Sequence, residues 1–332
     1  MASLALRHAA QLALLLMAVG GVWATDALAK RHARIGVVYP ESRTTVPPAV
    51  SVFWRRLQEL GWTEGRNLTV ESRYADGRAE RLPPLIQELV GRKVELLVTW
   101  TTSAAIAAKS ITEKTGTPVV VPVMGDPIAT GIVTDLARPG GTLTGLALGH
   151  DQAFVGKWIQ LLQETIPGLT AVTVILNPEN AVARKQREAL KPVAQSVGIQ
   201  LRFIEVRDLP QLEAAFRTAR GQSQAFVLLA DPLTMSYREQ IVSTANNQRM
   251  PGIYVLREFV DAGGLMSYGA DNNALFYRAA EYADRVLRGE KPGDLPIEVS
   301  AKYELVVNLK TAKRLGVSML QSVLLRVDEV IK

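Results

Sequence analysis

The chain has 332 residues, of which 48% are hydrophobic and 21% are charged, and its formal net charge is +6. These values are typical of a globular protein with one large or two smaller domains. The absence of cysteine excludes cysteine nucleophiles, thiolate metal sites, disulfides and a lipid anchor on an N-terminal cysteine. The basic residues are scattered and form no stripe interleaved with aromatic residues, so no nucleic-acid partner is expected.

The first 29 residues have the layout of a secretory signal peptide. Arg7 and His8 precede an apolar run over residues 9–22, and the sequence ALA at 27–29 matches the small-residue cleavage pattern. A membrane anchor is the alternative, but the run of 14 residues is shorter than the roughly 20 that span a bilayer. We predict cleavage near Ala29 and, because no cysteine is available for lipid attachment, a mature protein in the periplasm.

Short β-branched segments alternate with longer amphipathic segments from residue 34 onward. This alternation predicts an α/β fold with βαβ units and parallel sheets. In the first half, strands and helices alternate, beginning with a strand, over residues 34–39, 50–60, 67–73, 79–91, 95–100, 104–111 and 118–123. In the second half, they alternate, beginning with a helix, over residues 154–166, 171–176, 181–197, 200–206, 209–219, 225–230, 236–248 and 253–256. A helix over 275–286 and a strand over 303–308 follow.

Three segments of the first half recur roughly 130 residues later, which indicates two copies of one α/β unit. The matching pairs are ELLV at 95–98 with AFVL at 225–228, TP at 117–118 with MP at 250–251, and GGTL at 140–143 with GGLM at 263–266. Two such sheets that face each other place the carboxyl ends of their strands on a shared cleft, where ligands of open α/β sheets bind.

The repeat predicts two lobes, and the first is expected to combine two separate segments of the chain. Residues 33–148 and roughly 270–300 are expected to form the N-terminal lobe, and residues 149–269 the C-terminal lobe. The segment 264–271 is predicted to carry the chain back to the first lobe, and residues 301–332 are expected to pack near the hinge.

Six segments in one order carry a family resemblance. The chain, over residues 33–332, resembles the tryptophan/tyrosine-type ABC-transporter substrate-binding proteins in the segments GDPIATGIV, LARPGGTLTG, REFVDAGGLMSYGAD, AAEYADRVLRGEKPGDLPIE, ELVVNLKTAKRLG and LLRVDEVI. The resemblance implies a type I periplasmic-binding-protein fold, with two Rossmann-like lobes, three crossovers and a ligand clamped between the lobes. It also implies an ABC permease in the inner membrane as partner, and an amino acid or aromatic carboxylate as ligand.

The candidate ligand contacts are residues in the loops that follow predicted strands, because these loops face the cleft. Tyr39 follows the first strand and either stacks on a ligand ring or packs on the sheet. Thr101, Thr102 and Ser103 open a helix, where hydroxyl and N–H groups bind carboxylates, although an ordinary N-cap is the alternative. Trp100 stands where a smaller loop with Gly or Asn is expected, so it either narrows the pocket or stacks on the ligand.

Three aspartates are candidates for the ammonium group of a ligand, because a charge removed from water needs a partner. They are Asp126, which precedes Pro127 in a candidate binding loop, Asp231 and Asp271. One or two of them are sufficient, and a turn or N-cap role is the alternative for each.

The second lobe adds Asn177, Asn180, Tyr254, Arg257 and Tyr268 as candidate ligand contacts. Arg257 either forms a bidentate clamp on a carboxylate or pairs with a neighbouring acid as a brace of the hinge.

No arrangement of residues indicates catalysis. Of the three histidines, only His150 lies within the predicted lobes, and neither a nucleophile elbow nor a phosphate-binding loop occurs. We therefore expect no catalytic residue, metal or cofactor. The leading hypothesis is a monomeric periplasmic binding component of an ABC importer that captures its solute by hinge closure. The alternatives are a secreted α/β enzyme and a sensor that passes closure to a membrane receptor.

Overall fold

The computed structural model describes residues 31–148, 152–300 and 302–332, with the backbone alone at residues 152 and 153. The predicted signal peptide, its cleavage site and His150 lie outside the described residues. Within these residues, no helix is both long enough and apolar enough to cross a membrane.

The regular elements alternate along the chain as the sequence predicts. The strands are β1 (Ala33–Tyr39), β2 (Leu68–Tyr74), β3 (Leu96–Thr99), β4 (Val119–Met124), β5 (Leu143–Ala147), β6 (Ala171–Leu176), β7 (Gln200–Glu205), β8 (Ala225–Leu228), β9 (Gly252–Tyr254), β10 (Met266–Ala270), β11 (Glu298–Val299), β12 (Tyr303–Asn308) and β13 (Glu329–Ile331). The α-helices are α1 (Ala49–Glu59), α2 (Leu82–Gly91), α3 (Thr102–Thr115), α4 (Gln152–Thr165), α5 (Ala181–Ser196), α6 (Leu209–Arg220), α7 (Pro232–Ser236), α8 (Arg238–Asn247), α9 (Glu258–Asp261), α10 (Asn272–Leu287), α11 (Leu309–Leu315) and α12 (Gln321–Leu324). Two 3₁₀ turns cover Ala79–Arg81 and Pro292–Asp294.

Several helices begin at a polar side chain that caps free backbone N–H groups, which explains where they begin. Asn180 caps α5, Asp208 caps α6, Asp271 caps α10 and Asn308 caps α11. Gly116 ends α3 in the left-handed conformation, with φ of 74°, which glycine adopts without steric cost.

The strands form two sheets of related topology, and the predicted α/β fold with two Rossmann-like lobes is confirmed. The six-stranded sheet has the order β11-β5-β4-β3-β1-β2, and the seven-stranded sheet has the order β13-β12-β10-β9-β8-β6-β7. From β5 to β2 and from β10 to β7, the two orders are the same. The repeated segments of the sequence lie in or just before β3 and β8, β4 and β9, and β5 and β10.

The chain passes between the sheets three times. It passes between β5 and α4, because α4 packs on the seven-stranded sheet, and it returns after β10, because α10 packs on α1 and β4. The third passage connects β11 of the first sheet to β12 of the second. We refer to each sheet with its helices as the first lobe and the second lobe. Residues 149–151 and 301, at two passages, lie outside the described residues.

The strands add detail to the predicted division into lobes. The segment predicted to return to the first lobe contains β10, a strand of the second sheet, so the return occurs after Ala270. Residues 301–332, predicted to pack near the hinge, contribute two strands of that sheet, because β12 pairs antiparallel with β10 and β13 pairs with β12. Pairing of β12 satisfies backbone groups that an edge strand would leave exposed.

Close packing around a glycine in β9 gives a stability prediction. A Cβ atom at Gly252 would lie 2.2 Å from the ring of Phe226, its register partner in β8. We expect Gly252→Ala to lower the free energy of unfolding by about 2 kcal/mol or more, as overpacked cores do. Urea denaturation measures this change. Gly91→Ala is the control, because an added Cβ there meets nothing within 4 Å, and it is expected to leave stability equal or slightly higher.

Candidate ligand-binding site

A cavity lies between the two lobes at the carboxyl ends of their strands. It has a volume of about 110 Å³, space for several water molecules or part of a small solute. We call it the inner cavity, and the first-lobe residues lining it, α10 included, are Glu41, Pro47, Trp100, Thr101, Thr102, Val123, Met124, Gly125, Leu148, Asn272 and Phe276. The second-lobe residues are Asn180, Val182, Gln186, Ala230, Asp231, Pro232, Met235, Val255 and Leu256. The lining is mostly apolar, with a few polar groups, as is usual for small-molecule sites.

A second, more polar cavity of about 380 Å³ adjoins the first. The two share Thr102, Asn180, Asp231 and Pro232 as lining residues. Ser103 and Asn177, both predicted ligand contacts, line only this outer cavity. Six predicted contacts from two lobes therefore meet at the cleft: Thr101, Thr102, Ser103, Asn177, Asn180 and Asp231.

The start of α3 presents hydroxyl groups to the inner cavity. Thr101 has φ of 74°, an unusual conformation for a residue with a side chain, and its hydroxyl accepts a hydrogen bond from the N–H of Ala104. Strained backbone of this kind is often found at binding sites. Thr102 accepts a hydrogen bond from the N–H of Gly125 at 2.8 Å, which ties the β3 and β4 loops together.

Asp231 organises the loops on the second lobe. Its carboxylate accepts hydrogen bonds from the side-chain amides of Asn177 and Asn180, at 3.2 and 3.0 Å, and from the N–H of Leu233 at 3.0 Å. Burial raises the pKa of Asp231, and the two amides partly offset this effect. The N-cap role foreseen as an alternative for this aspartate is thus observed, on α7.

Glu41 places a second carboxyl group in the wall of the inner cavity. The side chain is 3% exposed, and its oxygens share one donor, the indole N–H of Trp100, at 3.0 and 3.1 Å. Burial is the main cause that raises its pKa to about 7, with a contribution from the charge on Glu258, whereas its hydrogen bonds and the charge on Arg238 oppose the rise. Trp100 itself is 3% exposed and packs edge-on against Tyr39 and Phe276, so it forms the cavity wall.

Glu258, at the start of α9, is a buried acid on the second lobe. One of its carboxyl oxygens accepts a hydrogen bond from the side-chain amide of Asn272 at 3.2 Å. The other, Oε2, is buried without a hydrogen-bond partner, and burial raises the pKa of the residue. Asn272 lies on α10 and lines the inner cavity, so it connects this acid to the wall that also contains Glu41.

The lobes touch each other around the cleft. An added Cβ at Gly125 would lie 2.2 Å from Cγ2 of Val182, on the opposite lobe. Arg238 donates to the backbone oxygen of Thr45 at 3.3 Å, and Lys185 donates to the backbone oxygen of Ala129. Both donors belong to the second lobe and both acceptors to the first.

The match to a protein family fits this two-lobed arrangement. Residues 34–331 match the family of ABC transporter substrate binding proteins. The chain belongs to this family. Among curated relatives, a tyrosine-binding protein of Clostridioides difficile is 24% identical over 293 residues, which cover 88% of this chain and 84% of that protein.

Solved structures of similar proteins share the fold. A conserved domain protein of Vibrio cholerae is 26% identical, with a TM-score of 0.81 over 90% of this chain and 100% of that one. An ABC domain from Streptococcus pneumoniae, solved in complex with L-Trp, is 24% identical, with a TM-score of 0.80 over the same shares of the two chains. The suspected family resemblance is therefore confirmed.

In this substrate-binding protein, two tyrosines predicted as ligand contacts lie in hydrophobic cores. Tyr39 stacks on Tyr74, with ring centroids 4.6 Å apart, which corresponds to packing on the sheet. Tyr254 is 2% exposed and stacks on Phe259 at 5.0 Å within the core of the second lobe. Neither tyrosine lines the inner or the outer cavity.

The β4 loop and the start of α10 hold predicted contacts that line neither cavity. Asp126 accepts a hydrogen bond from the N–H of Ala129, and Pro127 is buried next to it. Asp271 caps α10 and pairs with Lys302 at 3.1 Å. Both aspartates therefore have the turn or cap role that the sequence left open.

The last two predicted contacts lie on the second lobe. Arg257 forms ion pairs with Asp261, Glu304 and Glu329, so it braces α9 against β12 and β13. The backbone oxygen of Tyr268 accepts a hydrogen bond from the Trp158 indole, and its ring packs near other aromatic rings. Neither residue lines the cavities.

Sequence reasoning missed several residues of the inner cavity. Glu41 lies in the loop that follows β1, where the sequence predicts Tyr39 as the ligand contact instead. Asn272 and Phe276 were missed because α10 reaches the cleft only through the second passage between lobes. Among the described residues, no group of three or more His, Asp or Glu side chains is arranged to hold a metal ion.

Proposed function

We propose that this chain is the exported solute receptor of an ABC importer and that its solute is an amino acid with an apolar or aromatic side chain. The inner cavity, lined by both lobes, carries this proposal. Two similar proteins support the ligand class, because one is a tyrosine-binding protein and the other, which has the same fold, was solved in complex with L-Trp. The N-terminal signal-like segment supports export, with the periplasm as the expected compartment.

The proposed mechanism is hinge closure without chemical change. A solute that contacts both lobes stabilises the closed form, because those contacts exist together only when the cleft is shut. The membrane permease would then recognise the closed, liganded monomer. The apolar wall receives the side chain of the solute, and the hydroxyls of Thr101, Thr102 and Ser103 receive its carboxylate at the start of α3.

A thermal-shift screen of the purified mature protein with the twenty amino acids tests this function. We expect one or a few apolar or aromatic amino acids to raise the melting temperature, because a ligand that binds only the folded state stabilises it. Titration calorimetry then gives the affinity. No shift with any amino acid contradicts the proposal.

The hydroxyl of Thr102 allows a second test at the same site. We expect Thr102→Ala to weaken binding of the solute by roughly 10-fold, because the hydrogen bond to Gly125 and the hydroxyl at the carboxylate position are both lost. Ser110→Ala on the exposed face of α3 is the matched control and should leave the affinity unchanged. Equal affinities in the two variants reject the proposed carboxylate position.

A further inference from the structure

Resting on the proposed function, we propose that Glu41 is the counter-ion for an ammonium group of the solute, so that the inner cavity selects apolar amines, amino acids among them, and rejects aromatic carboxylates that have no amine. Apolar amines are a narrower class of solute than the family match alone indicates. Glu41, a buried acid that no sequence motif indicated, thereby has a role in binding.

The charge of the cavity wall is the first argument. Among the described residues that line the inner cavity, the ionisable groups are Glu41 and Asp231, and none is a lysine, arginine or histidine. A carboxylate in such a cavity has no cation to pair with and faces two acids. An ammonium group, by contrast, supplies the partner that a buried carboxylate lacks.

The hydrogen bonds of the two acids distinguish them. Asp231 already accepts from two side-chain amides and one backbone N–H, so its oxygens are well satisfied. Glu41 accepts from the Trp100 indole, shared between both oxygens, and from its own backbone N–H, although a carboxylate has about four acceptor positions. Glu41 therefore has fewer donors than Asp231 and more unused acceptor capacity.

The surroundings of Glu41 add to this demand for a cation. Glu258 belongs to the second lobe, and its charge disfavours ionisation of Glu41. The charge on Arg238 lowers the pKa of Glu41. Its guanidinium, however, donates hydrogen bonds to the backbone oxygens of Thr45 and Met235 and not to the Glu41 carboxylate. A bound ammonium group between the lobes reduces the repulsion between the two acids when the cleft is shut.

In the inner cavity, the carboxylate of an amino acid meets neutral donors, whereas Arg78 and Arg207 line only the outer cavity. The start of α3 offers hydroxyl groups and the helix dipole, which bind an anion more weakly than a buried charge pair binds a cation. Loss of the amine is therefore expected to cost much more affinity than loss of the carboxylate.

Titration calorimetry with matched compounds tests the inference. The two series are L-tryptophan, tryptamine and indole-3-propionate, and L-tyrosine, tyramine and 3-(4-hydroxyphenyl)propionate. For the series whose amino acid binds, we expect the amine to bind within roughly 10-fold of the amino acid and the acid to bind at least roughly 100-fold more weakly. An acid that binds within 10-fold of the amino acid overturns the inference and leaves the proposed function intact. Failure of every compound and every other amino acid instead rejects the proposed function.

A variant and its control assign the effect to Glu41. We expect Glu41→Gln, which keeps the size and an acceptor for Trp100, to weaken amine binding by roughly 100-fold, and circular dichroism checks its fold. Glu88→Gln on the exposed face of α2 should change nothing. As a second readout, binding at pH 7 should release protons from the unsubstituted protein, because its raised pKa leaves part of Glu41 protonated before the amine binds, and it should release fewer from Glu41→Gln. Unchanged affinity and unchanged proton release in Glu41→Gln overturn the assignment.

Discussion

Replacing Gly125 with alanine is expected to weaken solute binding by roughly 100-fold or more while both lobes remain folded. The added methyl would lie 2.2 Å from Cγ2 of Val182, a distance at which two carbon atoms cannot remain, and 2.9 Å from the hydroxyl oxygen of Thr102 in its own lobe. Valine has a stiff side chain, so the clash is relieved by moving one lobe away from the other. The variant is then held open, and contacts that need both lobes are lost.

A second substitution tests whether the clash, and not damage to the β4 loop, causes the loss. Val182→Ala removes the methyl groups that meet the added Cβ and leaves its own Cβ 3.3 Å away, whereas the 2.9 Å contact with the Thr102 hydroxyl remains, so recovery is expected to be partial. We expect Val182→Ala alone to weaken binding only modestly, and the double variant to recover at least roughly 10-fold over Gly125→Ala. Gly221→Ala, where an added Cβ meets only ordinary contacts, is the control for a glycine replacement.

Calorimetry measures the affinities of these variants, and small-angle scattering measures the separation of the lobes. The Gly125→Ala protein should have a larger radius of gyration than the unsubstituted protein at saturating solute. Tight binding by Gly125→Ala, or strictly additive losses in the double variant, would show that the lobes do not need this contact to close.

The alternation of strands and helices was predictable because strands covered on both faces consist of continuous apolar runs. The sequence does not predict β5 and β10, because each strand is short and contains a glycine that packs directly against a backbone oxygen of a neighbouring segment. An added Cβ at Gly145 would lie 2.1 Å from the oxygen of Val121, and one at Gly269 would lie 1.8 Å from that of Val255. Glycine usually weakens a strand, and only the tertiary contact shows that these two positions have no room for a side chain.

The site was predictable as a set of loops but not as a set of side chains. Parallel strands fix where their loops lie, and the loops after β3, β6 and β8 do line the cleft. The direction of each side chain depends on local pleat and packing, which sequence alone does not give. After β9, Arg257 points to three acids around it, whereas Val255 and Leu256, not selected from the sequence, line the inner cavity.

The unliganded protein is expected to lose stability between about pH 4.5 and pH 7 because of Glu41. Its pKa rises from an ordinary value of 4.5 to about 7 in the folded chain, mainly because the carboxyl is buried. For a pKa raised by folding, the stabilisation is complete below the unfolded value and is lost as pH rises through the folded value. The difference of 2.5 units between these values corresponds to a loss of at most about 3 kcal/mol.

Urea denaturation from pH 5 to pH 8 measures this loss, and Glu41→Gln isolates it. Glu258 and Asp231 also have raised pKa values, so the variant should retain part of the slope and lose the share that belongs to Glu41. Glu88→Gln is the control, since the ion pair with Arg73 lowers the pKa of Glu88 and places its titration below this range. Parallel curves for Glu41→Gln and the unsubstituted protein would contradict the prediction.

Opening of the cleft is a second way to hydrate the ionised Glu41, because the carboxyl lies in the wall between the lobes. The radius of gyration of the unliganded protein should therefore increase from pH 5 to pH 8, and the increase should be smaller in Glu41→Gln. A proton at low pH and an ammonium group at neutral pH then have the same effect, since each cancels the charge that disfavours the shut cleft. An amine solute should accordingly remove most of the pH dependence, whereas a solute without an amine should leave it unchanged.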